Sequence, residues 1–330
     1  MDLAALQRLW PMLGVWSVRP NEHVANNYVQ RVDTSSGSFI LRYNQHHHDA
    51  SRVRYEHGVV GQLQRAALPF RVPAPIPTTS GASFERVEVD GREVLVSLWP
   101  FVRGAVPDAE NLEQARTAGR ALAELDEALA DVQMPLDITP PPSVGELRRF
   151  HPLVPDPMAA VESLPVDEDD KAGIEALFRE MLDVVPQLYG SLPQQIIHND
   201  YDPSNVLMEG DSVTGVLDFE FSTEDVRVMD LVVALLGWAG GLLGSGQEWK
   251  VMEAIGSGYI RHSALRSVEM EALPQLFKLR SAASLIHRIG RYAQGLNTEV
   301  FMVKRVASVL HLKAWVESNQ AKLLGSVQRW

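Results

Sequence analysis

The chain has 330 residues, of which 45% are hydrophobic and 22% are charged, so its composition is that of a globular protein with room for two domains. Its formal net charge of -12 argues against a general binder of nucleic acid or anionic membrane, because phosphate groups are held by a surplus of lysine and arginine. The chain has no cysteine, which excludes disulfides and thiolate metal sites, and its start lacks the pattern of a signal peptide, so we expect a cytoplasmic protein.

The first third of the chain predicts a small β-rich region. A short amphipathic helix at 2–13 precedes the strands, and a longer helix is predicted at 50–67. Asp90-Gly91 is a strong hairpin signal between two of the strands. The predicted strands cover residues 16–19, 27–33, 38–43, 84–89 and 92–99. The run His46–His48 lacks the spacing of a helical metal site and is interpreted as a solvated loop.

The rest of the chain predicts mainly helices. Small and apolar residues recur at helical spacing from Asn111 to Leu129, which indicates a buried helix. Pro274 is tolerated if it lies in the first turn of its helix. The most apolar stretch, 231–246, is too short to span a bilayer. Further helices are predicted at 144–150, 168–185, 231–243, 247–262, 273–292 and 299–324.

The chemistry of the chain is concentrated between Gln194 and Asp230. Strand-like runs at 206–208 and 213–217 are joined by a three-residue connection that contains Gly210, which predicts a hairpin. Asp200 follows an earlier apolar run, Asn205 comes five residues later, and Asp218 closes the hairpin.

This spacing is that of a kinase catalytic loop, H-x-D-x-x-x-x-N, followed by a metal-binding Asp-Phe pair. Phosphoryl transfer from ATP needs Mg²⁺, and Asn205 and Asp218 supply the hard oxygen ligands that this ion prefers. A further carboxylate, Asp200, is suited to accept the proton of the acceptor hydroxyl. The interpretation as a capped turn with a solvated hairpin explains fewer of these residues.

The runs HNDYDPSN, GVLDFEFS and DVRVMDLVVALLGW resemble the aminoglycoside phosphotransferase and choline kinase superfamily, and most of all its type II homoserine kinase branch. The resemblance implies an α+β fold of the two-lobed protein-kinase type. A small β-rich lobe would cover residues 1–101, and a large, mainly helical lobe would cover 102–330. It also implies ATP and Mg²⁺ as cofactors and a small hydroxyl-bearing substrate.

The resemblance also implies roles for individual residues. Asp200 would be the base, with Asn205 and Asp218 as Mg²⁺ ligands, and His198 and Asp230 would support the loop. Arg42 stands where kinases carry a lysine and would bind the nucleotide phosphates, because a guanidinium can still bind phosphate oxygens in a bidentate way. Glu56 would be the partner that holds Arg42 in place. In the family the turn at 21–26 would cover the phosphates. The adenine would be lined by Leu98, Trp99 and Phe101.

Three positions depart from the family pattern. Asn199 stands where glycine or another small residue is usual, Asp202 stands where an aromatic residue or histidine is common, and Asp126 replaces a histidine. The first two departures bear on the choice of substrate more than on catalysis.

The acceptor is the open question. Homoserine is the first choice, followed by an aminoglycoside and then by choline or ethanolamine. The candidate acceptor contacts are Asp202, Glu220, Arg288 and Arg291. The two arginines cluster with Arg280 and His287, and the spacing from Arg280 to His287 and Arg291 keeps those side chains near one helix face. Such a cationic face could bind a carboxylate, although surface salt bridges would also explain it. A nucleotide-binding pseudokinase or regulatory module is the alternative from another class, and the oligomeric state is left open.

Overall fold

The computed structural model describes residues 3–19, 22–23, 28–44, 50–89, 91–108 and 110–330. The predicted loop at His46–His48 and most of the predicted turn at 21–26 lie outside the described residues. The chain divides into two compact units. The first unit contains Met1–Ala105, Val132–Pro140 and Leu207–Glu220, and the second contains Val106–Asp131, Pro141–Val206 and Phe221–Trp330. The predicted division after residue 101 assigns two of these segments differently and stays a prediction.

The first unit is built on an antiparallel sheet with the order β1-β3-β4-β6-β5, and β2 also pairs with β3. The five predicted strands begin and end within one residue of the predicted bounds, and the two-residue strand at Glu22–His23 was not predicted. The helix predicted at 50–67 ends earlier, at Leu63. The elements are α1 (Leu3–Gln7), β1 (Ser17–Val18), β2 (Glu22–His23), β3 (Tyr28–Thr34), β4 (Gly37–Asn44), α2 (Ala50–Leu63), β5 (Glu85–Val89) and β6 (Arg92–Pro100), with a 3₁₀ turn at Pro11–Leu13.

The two faces of this sheet have different tasks. Side chains alternate along a strand, so Leu41 and Leu98 lie on one face and Arg42 lies on the other. The first face packs on an apolar cluster that includes Trp10 and Leu13. On the other face Arg42 is paired with Ser97 of β6. One face therefore packs on the larger apolar cluster, and the other carries Arg42 beside a smaller cluster of Leu95, Ala50 and Val53.

The second unit is mainly helical. Two helices cross at very short range: a Cβ atom on Gly119 would lie 2.1 Å from the carbonyl oxygen of Ile255, and one on Gly258 would lie 2.1 Å from that of Arg116. Its helices are α3 (Leu112–Ala130), α4 (Pro157–Ala160), α5 (Glu168–Ser191), α6 (Val228–Ala239), α7 (Glu248–Ile260), α8 (Ser267–Ala293) and α9 (Glu299–Val327). Across the described ranges, none of the helices combines the length and the hydropathy that a membrane span requires.

Short strands flank the motif residues. Strand β7 (Gln194–Ile197) leads into the loop that carries Asp200 and a 3₁₀ turn at Pro203–Asn205. The predicted hairpin is confirmed as β8 (Val206–Glu209) and β9 (Ser212–Val216), with Gly210 at a φ of 60° in its turn. A strand that the sequence did not reveal, β10 (Thr223–Val226), pairs antiparallel with β7.

Some helix predictions were wrong in part. Residues 144–150 form turns instead of a helix, and the N–H of Val144 donates to the buried carboxylate of Asp225 at 2.6 Å. Helix α5 continues past Pro186, and α8 begins at Ser267, so Pro274 lies inside it. The predicted α+β class, with a small sheet-containing part and a large helical part, is confirmed.

Candidate active site

The backbone of the loop between β7 and β8 is hydrogen-bonded to a buried carboxylate. The backbone N–H groups of His198 and Asn199 each donate to Asp230 at 2.6 Å, and Asp230 is fully buried on α6. The N–H of Asp200 donates to His198 Nδ1 at 3.2 Å. These bonds give His198 and Asp230 the contacts that a support for the loop requires, because charged hydrogen bonds are stronger than neutral ones.

Two residues of the motif have left-handed backbones. Asn199 and Asp218 both have a φ of 62°, a region that glycine enters without cost and that asparagine and aspartate tolerate best among other residues. At the position of Asn199 this conformation suits the glycine of the family pattern, and asparagine is among the residues that tolerate it best. Residues held in this region often belong to functional sites.

The side chain of Asn205 is oriented by Asp200. Its Nδ2 group donates to the backbone oxygen of Asp200 at 2.8 Å and to Asp200 Oδ2 at 3.0 Å. Its amide oxygen is therefore the atom left to bind a cation. In the first unit, Asp218 ends the β8–β9 hairpin with a carboxylate that is 26% exposed. Oxygen donors of these two kinds fit Mg²⁺.

Arg42 lies in a buried cluster of carboxylates. Its guanidinium donates to Glu56 at 2.5 Å and to Glu220 at 3.0 Å, and it lies 3.6 Å from Asp218. Burial alone would lower the pKa of Arg42, but the three carboxylates outweigh it and raise the pKa. The predicted pairing with Glu56 is present. Glu220, predicted to contact the acceptor, is bound to Arg42 instead, and its role in substrate binding stays a prediction.

The three residues predicted to line the adenine lie in different places. Leu98 is fully buried in the apolar cluster on the face opposite Arg42, so we leave it out of the proposed nucleotide site. Trp99 lies on the Arg42 face, where its Nε1–H donates to Ser97 Oγ at 2.8 Å. Phe101 lines a cavity of about 440 Å³ in the first unit, with the Arg31 guanidinium 4.2 Å from its ring centre.

A larger cavity, of about 610 Å³, opens beside Asp200 in the second unit. Asp200 and Asp202 lie at one part of its lining, and apolar and glycine residues of α6 form another. Polar residues of α8 and α9 complete it. These are Arg280, Ser281, Ser284, Arg288, Arg305, Ser308 and His311.

The cavity has three guanidinium groups and two carboxylates in its lining. Burial, followed by the charges of Arg280 and Arg288, lowers the pKa of Arg305 to about 10. Burial and the charge of Arg291 lower the pKa of Arg288, although Asp200 acts in the opposite direction. An anion in the cavity would relieve this repulsion.

The structure separates the residues predicted to bind the acceptor. Arg288 and Asp202 line the cavity, whereas Arg291, three residues further along α8, is outside the lining. Arg305 was not predicted. The signal was present in the sequence, because Arg305 interrupts the apolar stripe of α9 that includes Met302, Val306 and Val309.

A pair of buried acids lies beneath the loop. Asp126 of α3 accepts a hydrogen bond from the Tyr259 hydroxyl at 2.6 Å and is also hydrogen-bonded to Asp230. Burial and the neighbouring charge of Asp230 raise the pKa of Asp126 well above 3.8. Two carboxyl groups this close cannot both ionise without cost, so the pair retains a proton.

We expect Asp126→Asn to stabilise the protein at pH 8 and to keep only a smaller part of this advantage at pH 5. Above pH 3.8 the unfolded Asp126 releases the proton that the folded pair keeps, so folding stability falls as the pH rises toward the folded pKa. The side-chain amide of an asparagine can donate to Asp230 without having to retain a titratable proton. Its oxygen can still accept from the Tyr259 hydroxyl. Each unit of pKa elevation removed is worth about 1.4 kcal/mol.

Urea denaturation at the two pH values measures this difference. Asp126→Ala is the control, since it loses both bonds and should destabilise the protein throughout. An asparagine variant that is less stable than the wild type at pH 8 would contradict the shared proton.

Comparisons with known proteins identify the family of this chain. The profile of the phosphotransferase enzyme family (APH) matches residues 17–256. The chain belongs to this family. Homoserine kinase of Rhodopseudomonas palustris (strain BisB18) is 29% identical over 265 residues, which cover 80% of this chain and 75% of the relative. Homoserine kinase of Sinorhizobium fredii (strain NBRC 101917 / NGR234) is 31% identical over 74% of this chain and 69% of the relative.

Among solved structures, a microcompartment-associated aminopropanol kinase is 19% identical and has a TM-score of 0.71, with 98% of each chain covered. An amicoumacin kinase in complex with AMP-PNP and Ca²⁺ is 13% identical and has a TM-score of 0.70, covering 97% of this chain and 94% of that one. The predicted kinase-like fold is confirmed. The protein is a small-molecule kinase.

Proposed function

We propose that this phosphotransferase moves the γ-phosphate of ATP to the hydroxyl of a small amino acid that resembles homoserine. The observation that carries the proposal is the arginine-lined cavity that begins at Asp200. It offers positive charge for a carboxylate within a chain whose net charge is -12. The curated relatives named above are homoserine kinases, which is in keeping with such an acceptor.

The nucleotide is assigned to the residues of the first unit. Arg42, oriented by Glu56, would bind phosphate oxygens, and Phe101 would contact the base from the cavity that it lines. Mg²⁺, when bound, would neutralise charge on the phosphates, with Asn205 and Asp218 as its protein ligands. The amicoumacin kinase structure, which contains AMP-PNP and Ca²⁺, is consistent with a nucleotide and a divalent cation.

The acceptor is assigned to the cavity of the second unit. Its hydroxyl would donate to Asp200, which takes the proton as the new bond forms. The carboxylate would lie against Arg288 and Arg305. The ammonium group would approach Asp202, whose Oδ1 already accepts the N–H and hydroxyl of Ser204 at 2.7 and 2.6 Å.

The cationic lining favours this acceptor over an aminoglycoside or choline. Both alternatives are positively charged and have no carboxylate, so they could use Asp200 and Asp202 but would leave Arg288 and Arg305 without an anion to bind. An ADP-release assay with homoserine, serine, ethanolamine, choline and an aminoglycoside tests the proposal. A preference for any of the last three over homoserine would contradict it.

We expect Arg288→Ala and Arg305→Ala each to raise the KM for the acceptor about ten- to a hundred-fold. A lost charge-assisted hydrogen bond costs about 1.5 to 3 kcal/mol. The KM for ATP should change little, and steady-state kinetics with each substrate varied in turn measures both constants.

Arg291→Ala tests whether the carboxylate is bound in the cavity or, as predicted from the sequence, by Arg288 and Arg291 together. Arg291 lies on the same helix as Arg288 but outside the cavity lining, so its acceptor KM should stay within about two-fold of the wild type. If Arg291→Ala raises the acceptor KM while Arg305→Ala does not, the carboxylate is bound elsewhere.

A further inference from the structure

Arg280 differs from the other arginines of the cavity in what it contacts. It lies in the middle of α8, its side chain is 19% exposed, and its Nη2 is 3.6 Å from Asp200 Oδ1. The same nitrogen donates to the backbone oxygen of Asn199 at 3.4 Å. Arg280 is therefore held beside the carboxylate that we assign as the base.

The contact with Asp200 is too long to be a tight bidentate ion pair. A hydrogen bond between charged groups spans about 2.7 to 2.9 Å, and the guanidinium has five N–H groups. Both contacts use Nη2, which leaves other donors of the fork for a ligand in the cavity that Arg280 lines.

The group that such a ligand would present follows from the position of Asp200. The acceptor hydroxyl must lie within about 3 Å of the base, so the oxygen that receives the phosphoryl group also lies near Arg280. The carboxylate of the acceptor would be repelled by Asp200 at this place. The acceptor carboxylate would bind more favourably at Arg288, which lies eight residues and about 12 Å further along the helix axis.

The surroundings of Arg42, the arginine that we assign to the nucleotide phosphates, support a role for Arg280 near the transferred phosphoryl group. Arg42 already pairs with Glu56 and Glu220 at 2.5 and 3.0 Å, so much of its positive charge is compensated within its own cluster. Phosphoryl transfer develops negative charge on the group in flight, and an additional arginine is a common way to stabilise it.

We infer that Arg280 is a catalytic residue that binds the phosphoryl group as it reaches the acceptor oxygen and retains it in the product. In this step the bond between the γ-phosphorus and the oxygen bridging to the β-phosphate breaks, and ADP leaves with that oxygen. A bond forms between the same phosphorus and the acceptor oxygen, whose proton passes to Asp200. The inference rests on the proposed function, because it takes Asp200 as the base and an amino acid as the acceptor.

A consequence is that the cavity has two places for anions. The substrate fills the one at Arg288 and Arg305 with its carboxylate, whereas the phosphorylated amino acid fills both. Arg280 should therefore matter more for binding the product than for binding the substrate.

Arg280→Gln and Arg280→Lys test this inference, with Arg179→Gln as a control for loss of an arginine on the exposed side of α5. With homoserine and ATP, the kcat of Arg280→Gln should fall on the order of 10³-fold with little change in the acceptor KM, and lysine should restore part of the rate. In calorimetry without nucleotide, Arg280→Gln should weaken binding of O-phosphohomoserine about ten- to a hundred-fold and binding of homoserine less than three-fold.

The possible failures can be told apart. If the wild type phosphorylates homoserine but Arg280→Gln keeps its kcat within three-fold, or weakens both ligands equally, the role of Arg280 is overturned and the proposed function stands. If the wild type phosphorylates no hydroxyl acceptor at all, the proposed function fails and this inference fails with it. Arg280→Lys supplies the same comparison if the glutamine variant does not fold.

Discussion

Asp200→Asn is expected to lower kcat by roughly 10² to 10⁴ while leaving the affinity for ATP largely unchanged. The substitution removes the proton acceptor, and general-base catalysis is typically worth this factor. It keeps an oxygen that can accept from Asn205, whose Nδ2 now donates to Asp200 Oδ2 at 3.0 Å, so the loop should keep its shape. Steady-state kinetics and ATP calorimetry measure the two quantities.

Asp202→Asn is the matched control for this experiment. It changes a carboxylate on the same loop, and an asparagine at this position can still accept from Ser204 as Asp202 does now. We expect a higher acceptor KM and a kcat within a few-fold of the wild type. Activity close to that of the wild type in Asp200→Asn would remove this residue from the role of base and would favour a nucleotide-binding module without catalysis.

Asp218→Asn and Asp218→Ala are expected to abolish the gain in ATP affinity that Mg²⁺ provides. Changes in residues that merely support a metal ligand already cost about 10- to 100-fold in metal affinity, so the loss of a direct ligand should cost at least as much. The asparagine variant is the more informative one, since Asp218 has a φ of 62° and alanine is strained in that region.

Calorimetry with ATP in the presence and absence of Mg²⁺ measures this effect. Asp211→Asn, an exposed acid in the turn of the same hairpin, should behave as the wild type does. If Asp218→Asn binds ATP with Mg²⁺ as tightly as the wild type, the cation is held by other residues.

The catalytic loop could be predicted from the sequence because its residues lie close together in the chain. The spacing of Asp200 and Asn205 places them in one loop whatever surrounds it, and the structure shows them hydrogen-bonded. The hairpin before Asp218 was predictable for the same reason, since its turn contains the glycine that it requires.

Features that depend on distant partners could not be predicted. Helix α8 begins at Ser267 because Glu269 accepts from the N–H of Arg266 at 2.8 Å and is held by Arg227 at 2.7 Å. The hydrophobic pattern of the sequence predicted instead that this helix starts near Pro274. The partner of Glu220 lies 178 residues earlier in the chain, which no local rule could reveal.

The second arginine of the proposed carboxylate site was missed for a related reason. Arg305 lies on a different helix from Arg288, and only the folded helices bring both side chains to one cavity. An arginine within an apolar stripe was the available clue, but the same pattern also fits a snorkelling side chain at a helix surface.

The interleaving of the two units has a consequence for synthesis on the ribosome. Nascent proteins usually fold domain by domain from the N-terminus, but here the chain passes between the units at residues 105, 131, 140, 206 and 220. Until Glu220 has emerged, Arg42 cannot contact it. The first unit also lacks its segment Leu207–Glu220, which contains most of the β8–β9 hairpin. Arg42 can pair with Glu56 in the first third of the polypeptide, but its contact with Glu220 must wait until two thirds of the chain has been made. A fragment ending at residue 101 would remain in that unfinished state.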